Sequence, residues 1–119
     1  MHIDLETLFI YRQQVDYPIA YYFDKKTYAI VDSNFKLDLS NEYYERYIPL
    51  FQIDELKIQN DYIQQINNKK ILHEYNQQQF CFEEFLQRHL MWDNWWCFYK
   101  NVVYQLAINW CKKNNIQYK

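Results

Sequence analysis

The chain has 119 residues, 50% of them hydrophobic and 21% aromatic, with 13 Lys/Arg against 15 Asp/Glu and a formal net charge of −2. It is too apolar for an intrinsically disordered chain and long enough to bury one core without disulfides or metals. It also lacks the uninterrupted apolar run of roughly 18 residues that a membrane-spanning helix needs. Glycine is absent, which excludes every Gly-rich phosphate-cradling loop, the P-loop and the dinucleotide fingerprint included.

The opening Met1-His2-Ile3-Asp4-Leu5-Glu6 is acidic and alternating, unlike the basic and then apolar start of a signal peptide, so a soluble cytoplasmic protein is expected. Leu5, Leu8 and Phe9, with Val15 after a polar turn, have helical spacing. They predict a short amphipathic helix over 4–14 that Pro18 ends. Ala20-Tyr21-Tyr22-Phe23-Asp24 and Thr27-Tyr28-Ala29-Ile30-Val31 are β-rich runs around a charged turn at Asp24-Lys25-Lys26, the pattern of an antiparallel hairpin. Asn34 to Leu39 reads as loop, and Ser40 or Asn41 is placed to cap a short helix through Tyr44. Arg46 to Phe51 reads as extended, with Pro49 confining it to an edge or a strand end.

From Ile53 the pattern becomes helical. Ile53, Leu56, Ile63 and Ile66 predict a helix to about Gln65, with Asp54 and Glu55 where the helix dipole favours carboxylates. Asn67-Asn68 breaks it; Ile71, Leu72 and Tyr75 predict a short helix, and Phe80, Phe82 and Phe85 another that ends before Met91. Trp92 opens the last and longest helix, in which Trp92, Trp96, Tyr99, Val103, Leu106 and Trp110 step by 4, 3, 4, 3 and 4, the spacing of a buried stripe. With no glycine, left-handed turn and helix-end positions are expected to fall to asparagine, at Asn67-Asn68 and Asn114-Asn115. The expected fold is α+β and a single domain over 1–119: a small N-terminal antiparallel sheet of two or three strands packed on a C-terminal set of three or four helices.

The order of these elements, with Tyr44-Glu45-Arg46-Tyr47-Ile48-Pro49-Leu50, Glu55 to Ile66, Phe80-Cys81-Phe82-Glu83-Glu84-Phe85, Trp95-Trp96-Cys97-Phe98-Tyr99 and Ile108-Asn109-Trp110-Cys111 to Ile116, resembles uncharacterised protein family 158, small intracellular bacterial proteins of unknown function. The resemblance covers roughly residues 17 to 116 and rests on ordered aromatic anchors. Its members show a G-A-F-R-R-F segment where this chain has Phe80 to Phe85 with Glu83 and Glu84, so no role of those arginines carries over. What the resemblance implies is architecture; function has to come from residues.

Among those residues no catalytic, cofactor-binding or metal-binding constellation is legible, and no cofactor is expected. The three cysteines sit beside aromatics with no C-x-x-C spacing, and are expected to be reduced and buried in the core. Cys97 and Cys111, on one helix, would lie roughly 21 Å apart and could not bridge. His89 and Asp93 supply two groups where a metal site needs three or four. Glu83, Glu84 and His89 are the candidates for a small hydrolase-like enzyme, although solvated surface charge is the plainer reading of the carboxylates. Lys69, Lys70, Arg88 and Lys100 are the candidates for nucleic-acid binding, which an acidic chain without a basic cluster makes unlikely.

Trp95, Phe98 and Val102 lie off the expected stripe and widen the apolar surface of the last helix. A second layer of the same domain covering them is the plainer reading. The alternative is an aromatic patch that binds a protein partner. The function expected is therefore a non-enzymatic protein-binding module, in the form of an inhibitor or immunity-type protein acting on a basic partner surface. Its candidate residues are Trp95, Phe98, Tyr43, Tyr44, Glu42 and Glu45, and homo-oligomerisation is compatible with the same surface.

Overall fold

The computed structural model describes residues 1–13, 21–32, 46–77 and 81–119. The loop expected over 34–39, the cap at Ser40 or Asn41, the stop at Pro18 and the residues Val15, Gln78, Gln79 and Phe80 lie outside the described residues. The elements are α1 (Leu5–Gln13), β1 (Tyr21–Asp24), β2 (Ala29–Asp32), β3 (Tyr47–Pro49), α2 (Glu55–Gln64), α3 (Lys69–Gln77), α4 (Phe82–Arg88) and α5 (Trp92–Lys113). The architecture is α+β, with a three-stranded antiparallel sheet in the N-terminal half and a long C-terminal helix. The chain divides into two compact units, one formed by Met1–Ile53 with Val103–Lys119 and the other by Asp54–Val102.

In the first unit the strand order is β2-β1-β3. Phe23 pairs with Ile30 on one side and Ile48 on the other, and Tyr22 with Val31 and Pro49. Pro49 thus closes an edge strand, where its missing N–H costs no ladder bond. The hairpin loop is organised by Asp24. Its carboxylate accepts from the Lys26 backbone N–H and the Thr27 hydroxyl, each at 2.9 Å, and its carbonyl accepts from the Tyr28 N–H at 2.8 Å. Tyr28 ends this loop in the left-handed region (φ 58°). Its ring packs edge-on against Phe23 at 5.1 Å and its hydroxyl accepts from the Gln117 N–H, contacts that offset an unfavourable conformation for a bulky residue.

The core of this unit joins Ile3, Leu8, Phe23, Leu50, Ala107, Trp110, Cys111 and Ile116. Trp110 meets Phe23 edge-on at 5.8 Å and donates its indole N–H to the Pro49 carbonyl at 3.1 Å, so a buried aromatic keeps its polar atom satisfied. On α1, Leu8 and Phe9 are buried and Phe9 stacks on Tyr104 at 5.5 Å. The C-terminal residues return to the start of the chain, where Ile3 donates to Gln117 and Lys119 to Ile3 through their backbones.

The second unit is held by rings and by side-chain hydrogen bonds to α2. Asp54 caps α2 by accepting from the Lys57 N–H. Its buried face is Ile58, Tyr62 and Ile63, whereas Leu56, expected in the core, is 61% exposed. The face is set by polar partners as well as apolar ones. The Tyr62 hydroxyl donates to Asn94 at 2.7 Å, the Tyr99 hydroxyl to Glu55 at 2.6 Å, and the Tyr75 hydroxyl to Asn60.

On α5 the buried positions are Trp95, Tyr99, Val103, Ala107, Trp110 and Cys111, and this corrects the expected stripe. Trp92 and Trp96 are exposed and Trp95 is buried. Eight of the twelve positions from Trp92 to Val103 are apolar or aromatic, so more than one stripe satisfies the helical period, and the facing residues decide between them. Tyr62 and Phe82 meet Trp95 edge-on at 5.3 and 5.0 Å. Of the asparagines expected in the left-handed region, Asn115 adopts it (φ 57°). Asn68 instead accepts from the Lys70 and Ile71 N–H groups at the start of α3.

Candidate protein-binding site

The site begins where α4 ends. The Met91 N–H returns to the Leu86 carbonyl at 2.8 Å and the Leu90 N–H to the Gln87 carbonyl at 3.2 Å, the pair of bonds that closes a helix through a left-handed residue. That residue is Leu90 (φ 54°), a role usually taken by glycine in other chains. The turn leaves Leu90 93% exposed. Met91 then accepts from the Trp95 N–H at 2.9 Å to start α5. Trp92 and Trp96, four residues apart and so on one helix face, are 40% and 39% exposed. The Trp96 ring stacks on Tyr99 at 6.0 Å, which limits how far it can turn away. Three large apolar side chains thus lie on the surface within one turn and the start of one helix.

Trp95, expected as the lead anchor of such a patch, is instead enclosed by Tyr62, Phe82, Phe98 and Tyr99, and Phe98 is half-buried against Tyr62. Tyr43, Tyr44, Glu42 and Glu45 lie outside the described residues. Trp92 and Trp96, exposed where Trp95 is not, were hidden in the sequence by the aromatic positions around them. A signal for Leu90 was the break before Met91 with no glycine to carry it, which forces an ordinary side chain into an exposed left-handed turn.

The residues considered for catalysis are not brought together. Glu83 and Glu84 are exposed on α4, and no hydrogen bond or ion pair among the described residues joins them to His89. His89 Nε2 lies 2.5 Å from one Glu74 oxygen, and Arg88 pairs with the other. The Glu74 carboxylate therefore ties α3 to the end of α4. Open depressions of 520 and 310 Å³ in the first unit are lined by other residues, Cys111 and Tyr118 in one and His2 and Tyr11 in the other. Among the described residues no group of three His, Cys, Asp or Glu side chains could hold a metal ion, and no helix is long and apolar enough to cross a membrane.

The basic candidates do not form a patch, since Arg88 is engaged by Glu74 while Lys69 and Lys70 stand exposed at the start of α3. The cysteines are all free. Cys111 is buried, but Cys81 and Cys97 are exposed, which corrects the expectation that all three fill the core. The chain matches no family model, no curated protein and no solved structure. The resemblance to family 158 therefore finds no support in these comparisons.

Proposed function

We propose that the chain is a non-enzymatic protein-binding module whose docking surface is Leu90, Trp92 and Trp96. The observation that carries this reading is the exposure of these three side chains within seven residues, two of them tryptophans. Exposed leucines occur singly on most proteins, whereas grouped exposed aromatics are the anchors on which interfaces concentrate their binding energy. Asp54–Val102 carries seven acidic against five basic side chains, which favours a basic partner surface and supports an inhibitor or immunity-type role. In this reading the protein works in the bacterial cytoplasm, in keeping with the likeness to family 158 and with three free cysteines.

The test is capture of a partner from native lysate at moderate salt by the full chain and by the Trp92→Ala/Trp96→Ala double variant. A stoichiometric partner retained by the first and lost by the second supports the reading. Equal capture by both, or no stoichiometric partner with the first, removes it, and a concentration-dependent dimer in sedimentation would assign the surface to a second copy of the chain.

A further inference from the structure

We propose that the depression between α1 and β2 binds a small primary amine, its ammonium group on the Asp4 carboxylate and its apolar body over Ile3 and Ile30. The space is 310 Å³, at the lower end of what a small ligand occupies. One wall comes from α1 and the residue before it. Asp4, Thr7 and Tyr11 follow the spacing i, i+3 and i+7, so they share one helix face, and all three line the space. The opposite wall is the start of β2 with Tyr28, whose left-handed backbone is held by the contacts of its side chain with Phe23 and the Gln117 N–H. Ile3 and Ile30 supply apolar lining. All of these residues belong to the first unit, so the inference does not depend on the aromatic surface of the second.

The polar groups on the α1 wall are reachable from solvent and not committed elsewhere. Asp4 stands where a capping residue would, yet it is its carbonyl that accepts from the Leu8 N–H, at 3.3 Å. Among the described residues its carboxylate meets one group, His2 Nε2 at 3.5 Å, and the side chain is 64% exposed. A neutral imidazole leaves that negative charge unmatched. The Thr7 and Tyr11 hydroxyls make no hydrogen bond among the described residues. No lysine or arginine lines the depression, so an anionic ligand would meet a like charge there and an ammonium its counter-ion. The three N–H donors of a primary ammonium match the carboxylate and the two hydroxyl oxygens. Tyr11 and Tyr28 add aromatic rings, which attract cations where carboxylates do not already suffice. The larger depression lacks this set. No carboxylate side chain lines it, and its Cys111 and Lys112 carbonyls are taken by the Ile116 and Asn115 N–H groups that close α5.

The experiment titrates phenethylamine hydrochloride into the nitrogen-15-labelled full chain and follows the backbone amide signals by NMR. The pH is about 8, where imidazole is neutral and an alkylamine is charged, and sodium chloride holds the ionic strength constant. Two further series use 2-phenylethanol and 3-phenylpropionate, which keep the apolar body but remove or reverse the charge. A saturable shift centred on residues 2–11 and 28–30 is expected with the amine, weaker binding with the alcohol, and none with the acid. Asp4→Asn, which keeps a side chain able to cap a helix, should weaken amine binding about threefold to fivefold, the size of effect an exposed ion pair gives. Thr7→Val should weaken it about twofold or more through one lost hydrogen bond. Equal binding of amine and alcohol overturns the proposal. So does an amine series with no shift, with shifts that do not saturate, or with shifts spread over the whole surface, and so does an Asp4→Asn variant that binds as tightly as the unaltered chain. The comparison of the three ligands uses the unaltered chain, so a variant that fails to fold leaves the test intact.

Discussion

Arg46 grips both oxygens of the Asp24 carboxylate, Nε to Oδ1 and Nη2 to Oδ2, each at 2.9 Å. Asp24 is 3% exposed and also serves the hairpin loop, so one carboxylate fixes a turn and ties β1 to the start of β3. Arg46, first among its neighbours, holds the Asp24 pKa at about 2, below the ordinary 3.8. A depressed carboxylate contributes stability that is complete above its unfolded pKa and is lost as the pH falls through its folded one. The pair should therefore contribute fully above about pH 4 and fade toward pH 2, a loss of about 2 kcal/mol. Asp24→Asn should lower stability by a similar amount at pH 7 and flatten the acid limb, as read from urea unfolding across that range.

Leu90 tests what the absence of glycine costs. A left-handed conformation costs a bulky side chain roughly 1–2 kcal/mol, and at 93% exposure Leu90 has almost no packing to lose. Leu90→Gly should raise stability by about 0.5–1 kcal/mol after the entropy of the more flexible unfolded chain is subtracted. Leu90→Ala, which keeps the Cβ, should gain nothing. Thermal unfolding of both variants checks the contrast.

These two residues also show how far the sequence could be read. Helix and strand positions followed from period and turn chemistry, and α5 begins at the expected residue because Met91 follows a break that the pattern marks. Asp24 looked like one end of a charged turn, since its partner Arg46 lies 22 residues away and pairing at that range leaves no periodic trace. The aromatic surface was misread for a different reason. Where Trp92, Trp95, Trp96, Phe98 and Tyr99 surround a helix, period cannot rank the faces, and only Tyr62 and Phe82 from elsewhere in the chain decide that Trp95 goes in.

The cysteines should separate by reactivity. Cys81 and Cys97 are exposed and should react promptly with an aromatic disulfide reagent in the folded protein, whereas Cys111 should react only as the protein unfolds. Burial pushes the Cys111 thiol up from 9.0 to about 11. A raised thiol pKa contributes stability below the unfolded pKa and loses it as the pH rises toward the folded one. Cys111→Ala, which removes the titrating group, should accordingly be less sensitive to alkali between about pH 9 and 11 than the unaltered chain. Thiol counting at pH 8 in native buffer and in denaturant checks the first expectation, and unfolding at alkaline pH the second.

The tryptophans offer the sharpest separation of folding from binding. Trp95 is 6% exposed and touches Tyr62, Phe82, Phe98 and Tyr99. Trp95→Ala should therefore cost about 3–5 kcal/mol through the lost transfer energy and the cavity left behind. Trp92→Ala gives up a side chain already 40% exposed and should cost under about 1 kcal/mol. Trp96→Ala should fall between them, because its ring stacks on Tyr99, and aromatic pairs contribute about 0.5–1.5 kcal/mol beyond area burial. Urea unfolding of the three variants, with partner capture measured on the two that stay folded, gives the decisive pattern. Stability should fall most at Trp95 and binding most at Trp92 and Trp96. A Trp92→Ala variant as unstable as Trp95→Ala would mean that Trp92 belongs to the core, and the proposed docking surface would then lose its first anchor.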